Sequence, residues 1–227
     1  VNPYLLLATA AVLVGIAFWY RSRAGVSGET GRWFLLWLLA GALGAAFSSI
    51  SWWMGDDTIS LSFYQVTSVF AVGSTFFVFA FARSFGRSAD YTLFFWSLPL
   101  QFAVAAILVN GGDLFNRDGR LWVFDNESPV TWINAAALML YAVMAIAYVV
   151  VLLRDLRREG KNREGQRVKV VLAALLILFY AEVMEGILGA RSWWGGHVPL
   201  VEIAELAGAL VLARVVAGRR WAGGREA

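Results

Sequence analysis

Apolar residues gather in seven long runs, at 3–20, 33–54, 59–82, 91–109, 130–153, 167–188 and 198–217, separated by short stretches that hold most of the charge. A helix of about 18 or more such residues crosses a hydrocarbon core of about 30 Å, and in that core the backbone must satisfy its own hydrogen bonds. The pattern therefore predicts an all-α membrane protein, a bundle of seven transmembrane helices forming one domain at 1–218. Within it, the alternation in "DLFNRDGRLWVF" predicts an outer hairpin-like loop at 111–129, turning at "NRDG". A short basic tail follows at 219–227.

The connections alternate in charge. The first carries Arg21, Arg23 and Arg32, the third Arg83 and Arg87, the fifth reads "RDLRREGKNREGQRVK", and the tail holds Arg219, Arg220 and Arg225. By the bias of cytoplasmic loops toward Lys and Arg these four face inward. Between them lie "GDD" at 55–57, the acidic stretch 110–130 and a Trp-rich loop before the last span, which face outward. The N-terminus is thus expected outside and the C-terminus in the cytoplasm. "VNPYLLLATA" lacks the basic start of a cleavable signal peptide and is read as the outer end of the first span.

Composition agrees: 59% of the 227 residues are hydrophobic and 15% charged, against about 25% charged in soluble domains. A multi-pass protein of the cell membrane, with the lipid bilayer as its first partner, is the expectation. The net charge of +3 reflects topology and implies no nucleic-acid partner. With no cysteine, disulfides and thiolate metal sites are excluded.

The candidate chemistry lies in "YAEVMEGILGARSWWGGHVPLVEIAEL", residues 180–206, where Glu182 and Glu185 flank one side of a loop and Glu202 and Glu205 the other. Each pair is spaced i, i+3 and shares a helix face. At about 1.5 Å per residue, Glu185 and Glu202 fall one turn, and Glu182 and Glu205 two turns, below the outer surface. A charge near the middle of a span costs about 2.5–3.5 kcal/mol, less toward the interface, so something must offset the set. The plain alternative is that the glutamates snorkel to the headgroups or tie helices together. Against it, other polar side chains gather on the outer halves: Ser48, Ser49 and Ser51; Ser60, Ser62, Tyr64, Gln65, Thr67 and Ser68; Asn110; Thr131 and Asn134. The inner halves, such as "WFLLWLLAGA" and "VVLAALLILF", are greasy. A polar bowl open to the outside above an apolar floor is expected, lined by the four glutamates with His197, Gln65, Tyr64, Asn134, Ser51, Trp193 and Trp194. Most outer tryptophans fit an ordinary interfacial belt; one or two closing over a cation is the sharper reading.

No catalytic residue, cofactor or metal site is expected. A lone histidine builds no zinc enzyme, the Glu-x-x-His pairs of di-metal bundles are missing, and no nucleophile elbow or phosphate loop is visible. The last span has no lysine for a retinal Schiff base. Small residues at Gly41 with Ala45, and Ala204 with Gly208, suggest packing seams.

The order of "LFNRDGRLWVF", "WINAAALMLYAVMAIAYVVVLLR", "GQRVKVVLAALLILF" and "VPLVEIAELAGALVLARVV" resembles the seven-helix N-terminal sensor region of bacterial and archaeal histidine kinases, from about Tyr4 to Val216. The resemblance implies a sensory input domain, often dimeric, that signals to a cytoplasmic kinase. Two departures stand out: Glu202 and Glu205 occupy positions usually apolar or hydroxyl-bearing, and the chain reaches Ala227 without a kinase. The kinase has been cut away, or output passes to a separate partner. The leading expectation is a non-enzymatic sensor binding a small ligand, cations included, or sensing protons through carboxyls that mutual repulsion keeps partly protonated. A proton- or cation-coupled transporter and an accessory subunit of a larger membrane complex are the alternatives.

Overall fold

The computed structural model describes residues 3–24, 28–86, 92–110, 115–118, 121–124, 128–182 and 200–218. Among them are seven helices: α1 (Pro3–Ala24), α2 (Glu29–Trp53), α3 (Asp57–Phe85), α4 (Thr92–Asn110), α5 (Pro129–Arg158), α6 (Asn162–Glu182) and α7 (Leu200–Gly218). Two strands, β1 (Phe115–Asp118) and β2 (Leu121–Phe124), pair antiparallel between α4 and α5. Four helical stretches, Pro3–Arg23, Glu29–Trp53, Asp57–Phe85 and Ala135–Arg158, are long and apolar enough to cross a membrane. The protein is a helical bundle of membrane type.

Helix ends follow local chemistry. Asp56 caps α3 by accepting hydrogen bonds from the backbone N–H groups of Thr58 and Ile59 at 2.9 and 3.0 Å. One charge of the acidic "GDD" connection is therefore a helix cap. Pro129 occupies the first turn of α5, where its missing N–H is not needed. The basic stretch 154–169 was expected to be a loop, and it is almost wholly helical. Its arginines are good helix formers and favour the negative C-terminal end of α5. Only residues 159–161 separate α5 from α6: Gly160 takes the left-handed φ of 71°, Lys161 N–H donates to Leu156 O (3.0 Å) and Gly160 N–H to Arg157 O (3.2 Å). These two bonds are the standard glycine-terminated helix stop.

The hairpin forms where expected, with its turn displaced. Phe115 pairs with Phe124 and Asp118 with Leu121, so Asn116, Arg117 and Asp118 belong to β1 and only residues 119–120 connect the strands. Phe115 anchors this register. It is buried with Val72 of α3 and with Val104 and Leu108 of α4, edge-on to Tyr64 at 5.4 Å.

The helices α1, α2, α3, α5, α6 and α7 pack successively into a ring that α7 closes against α1, and α4 lies outside it on α3. Each ring helix sends a side chain to one core: Leu13, Phe34, Phe81, Val149, Leu175 and Leu212, all completely buried or nearly so. Close approach uses glycines. Tyr20 lies over Gly31, and a Cβ on Gly208 would stand 3.0 Å from Cγ of Leu178, so α6 and α7 meet at the Gly208 seam. Large apolar side chains also point outward, including Phe18, Phe102, Val143 and Ile177, as lipid contact requires.

Two ends are distinguishable. At one, Ser49 Oγ donates to Pro3 O at 3.0 Å, Tyr4 meets Trp53 edge-on, and the hairpin docks. The other collects the ends of helices that carry Arg21, Arg23, Arg32, Arg154, Arg157, Arg158, Arg163 and Arg167. Arg83, expected in a connecting loop, instead lies inside α3 at this arginine end with its side chain 0% exposed, paired with Glu29 in the first turn of α2. Glu29 also accepts from Trp33 Nε1 at 3.0 Å. Hydropathy placed both charges outside their spans; pairing lets the helices continue through them.

Removing one partner of a buried ion pair costs about 3–5 kcal/mol because the other charge is stranded. Glu29 is 41% exposed, so solvent screens part of this, and Glu29→Gln is expected to destabilise by on the order of 1–3 kcal/mol. Thermal unfolding in detergent should show Glu29→Gln/Arg83→Met to be more stable than Glu29→Gln alone. A double variant no better than the single one would contradict a stranded guanidinium as the cause.

Candidate functional site

Glu205 stands in the second turn of α7 and is half-buried. Its side chain turns into the bundle, and its Oε1 occupies the space that a Cβ on Gly41 of α2 would fill, with Leu13 Cδ1 of α1 bordering the same space at 3.2 Å. Gly41 lies midway along α2 and Leu13 midway along α1. The carboxylate therefore reaches the middle of both helices, about 18 Å from either end of α2 at 1.5 Å per residue. The expected depth of two turns was counted from the end of the last span alone; along α2 the carboxylate lies opposite the helix midpoint.

Below Glu205, toward the arginine end, the adjoining faces are apolar and buried: Ala209, Leu212 and Ala213 on α7, Phe34 and Leu38 on α2, and Ala17 on α1. Above it burial is uneven: Leu6, Thr9 and Ala10 of α1 and Ser49 and Ser51 of α2 are buried. On α3, every residue from Ser74 to Arg83 except Phe77 is buried, whereas none from Leu61 to Thr67 is.

The Gly208–Leu178 contact sets the register of α6 on α7. Four residues toward the hairpin end, Glu182 on α6 comes level with Ala204, and so with Glu205, as their antiparallel order predicts. The side chains of Glu182, Glu202 and Asn134 lie outside the described residues, as do Glu185, Trp193, Trp194 and His197 altogether.

The remaining candidates divide. Ser51 does not face a cavity: its Oγ donates to Ser60 O and Ser60 Oγ donates to Ser51 O, both at 2.8 Å, stapling α2 to α3. Tyr64 is engaged beneath the hairpin by Phe115. Gln65 is half-buried one residue on. Several hydroxyls that suggested a wet bowl bond to their own helices: Ser62 to Thr58 O, Thr67 to Phe63 O and Ser68 to Tyr64 O. Such back-bonding satisfies the hydroxyl's one donor within its own helix.

One residue was missed. Thr9, 1% exposed on α1, keeps its Oγ1 buried without a hydrogen-bond partner. It lies one turn toward the hairpin end from Leu13, on the same buried face. Its signal in the sequence was slight, the one threonine in a first span without serine. Among the described residues no three His, Asp or Glu side chains gather as a metal site.

Comparison with protein-family models, curated proteins and solved structures gives no match. The site is therefore interpreted from its own chemistry.

Gly41→Ala would place a methyl group on the Glu205 carboxylate. The clash is with the far end of a flexible side chain, and alanine returns about 0.5–1 kcal/mol in a helix, so the melting temperature should move little. The carboxylate should move instead. Infrared spectra are expected to show a carboxyl band, assigned through its loss in Glu205→Gln, that shifts in Gly41→Ala; an unshifted band would mean that Glu205 does not rest on Gly41.

Proposed function

We propose that the chain is a seven-helix sensor of the cell membrane, with its N-terminus outside and its C-terminus in the cytoplasm. In this reading it binds a small ligand, cations included, or a proton at the carboxyl of Glu205, and hands the change to a cytoplasmic or membrane partner or to a second copy of itself. The observation that carries this reading is the Glu205 carboxylate, held midway down the bundle against Gly41. Ionisable side chains deep in a membrane bundle face its interior, engage partners there and mark candidate functional sites.

Supporting it, α3 is less buried over residues 61–67 than over 74–83, which suits access from the face read as external. The collection of arginines at the opposite end suits a cytoplasmic face. The resemblance to histidine-kinase sensor regions points to the same role, with a kinase or separate signalling protein as output.

A proton- or cation-coupled transporter is the second reading, because a mid-depth carboxylate serves coupling equally well. It is less favoured because transport needs polar groups reaching the other face. Toward the arginine end, the faces adjoining Glu205 are apolar and buried at Ala17, Phe34, Leu38, Ala209, Leu212 and Ala213.

Wild-type protein and Glu205→Gln should be compared in nanodiscs, first against ammonium, alkylammonium and choline salts by thermal shift, then by infrared titration of the carboxyl band. A saturable stabilisation or a titrating band present in the wild type and lost in Glu205→Gln is expected. If neither differs between the two proteins, Glu205 is structural and the sensor reading fails. Ammonium or proton uptake into proteoliposomes, abolished by Glu205→Gln, would replace the sensor with the transporter.

A further inference from the structure

The last turns of α5 carry a feature that neither the Glu205 site nor the ring core uses. Val150, Leu153, Arg154, Arg157 and Arg158 border one open patch on the outside of the bundle. Arg157 and Arg158 are exposed. Neither has an ion pair or hydrogen bond among the described residues, and the nearest acid to Arg154 is Asp155, at 3.8 Å on a side chain 49% exposed. The next carboxylate along, Glu159, is engaged by Lys161 at 2.8 Å.

The arginines continue an apolar stripe. Val143, Ala147, Val150, Arg154 and Arg157 follow one another at spacings of three or four residues and so share one face of α5. Val143 is 59% and Val150 45% exposed on a helix apolar enough to cross a membrane, so the stripe faces acyl chains before it reaches the guanidinium groups. A soluble anion would use only the arginines. An acidic protein would meet Arg157 and Arg158 but not side chains at acyl depth. An amphiphile with a phosphate at one end and a hydrocarbon chain at the other matches the whole stripe, and guanidinium forks suit phosphate oxygens.

We infer that this face of α5 is a seat for one anionic phospholipid, its phosphate held by Arg154, Arg157 and Arg158 and an acyl chain lying along Val150 and Val143. The seat is independent of Glu205. It differs from the diffuse attraction of any basic loop to anionic lipid in being saturable and confined to these residues.

Full-length protein in detergent micelles can be titrated with phosphatidylglycerol or phosphatidylcholine of identical chains and the bound lipid counted by native mass spectrometry. The wild type is expected to retain one phosphatidylglycerol with at least tenfold preference over phosphatidylcholine. Arg154→Gln/Arg157→Gln/Arg158→Gln should lose that preference, while Arg21→Gln/Arg23→Gln/Arg32→Gln, which removes equal charge from the same end, should keep it. Should the first triple variant fold poorly, Arg157→Gln/Arg158→Gln spares the Arg154–Asp155 pair and is expected to weaken retention at least threefold. Equal retention of the two lipids, equal loss in the two triple variants, or displacement by free glycerol phosphate would each overturn the seat; the last would identify a soluble-anion site.

Discussion

A carboxylate carried to the middle of an apolar bundle needs a place to stand, and Gly41 supplies it. A polar group removed from water is costly unless it is met by other polar groups, and a helix backbone can be approached closely only where no Cβ intervenes. Glu205 rests where that Cβ would be, while three residues on, Gly208 lets Leu178 of α6 close upon the same helix. The rotation and height of α7 are therefore set from both sides. Because α7 is the helix through which the ring closes onto α1, the geometry of the closure and the placement of the carboxylate are one constraint.

The polar side chains of the outer half have a different standing from Glu205. In lipid, a serine or threonine can satisfy its hydroxyl by bonding to a carbonyl one turn back, and Ser62, Thr67 and Ser68 all do so. Ser51 and Ser60 satisfy each other across α2 and α3. These residues make the helices compatible with their surroundings and leave few hydroxyl donors for a ligand. Thr9 is the exception, buried without a partner, on the face of α1 that passes Leu13 and the Glu205 carboxylate.

Hydropathy made the helices legible because a span must be apolar over its whole length, and runs such as 33–54 and 59–82 announce themselves. Their ends were not legible, since a helix does not stop where charge begins: α2 takes in Glu29, α3 takes in Arg83, and α5 runs on to Arg158. The pairing of Glu29 with Arg83 joins residues 54 positions apart, beyond any local pattern. The antiparallel order of α6 and α7 was readable, and the Gly208–Leu178 contact puts their backbones level at Glu182 and Ala204. The inward turn of Glu205 and its depth were not, because both depend on Gly41, more than a hundred residues away. Gly41 had been marked as a seam, but nothing in its own neighbourhood named the residue across it.

Two features of the bundle converge on α2. Midway along, it receives the Glu205 carboxylate at Gly41; in its first turn, Glu29 pins it to the fully buried Arg83 of α3 and to its own Trp33. Between these points α2 is an unbroken helix packed by Phe34, Trp37 and Leu38, and packed cores transmit displacement rather than absorb it. If Glu205 changes its charge or its partner, the helix it presses upon is the one whose other end is fixed by an ion pair at the arginine face. On the sensor reading, α2 is therefore the lever and the Glu29–Arg83 pair its fulcrum. A signal of this kind needs no opening through the floor, and the closely packed inner half is then what lets the lever act.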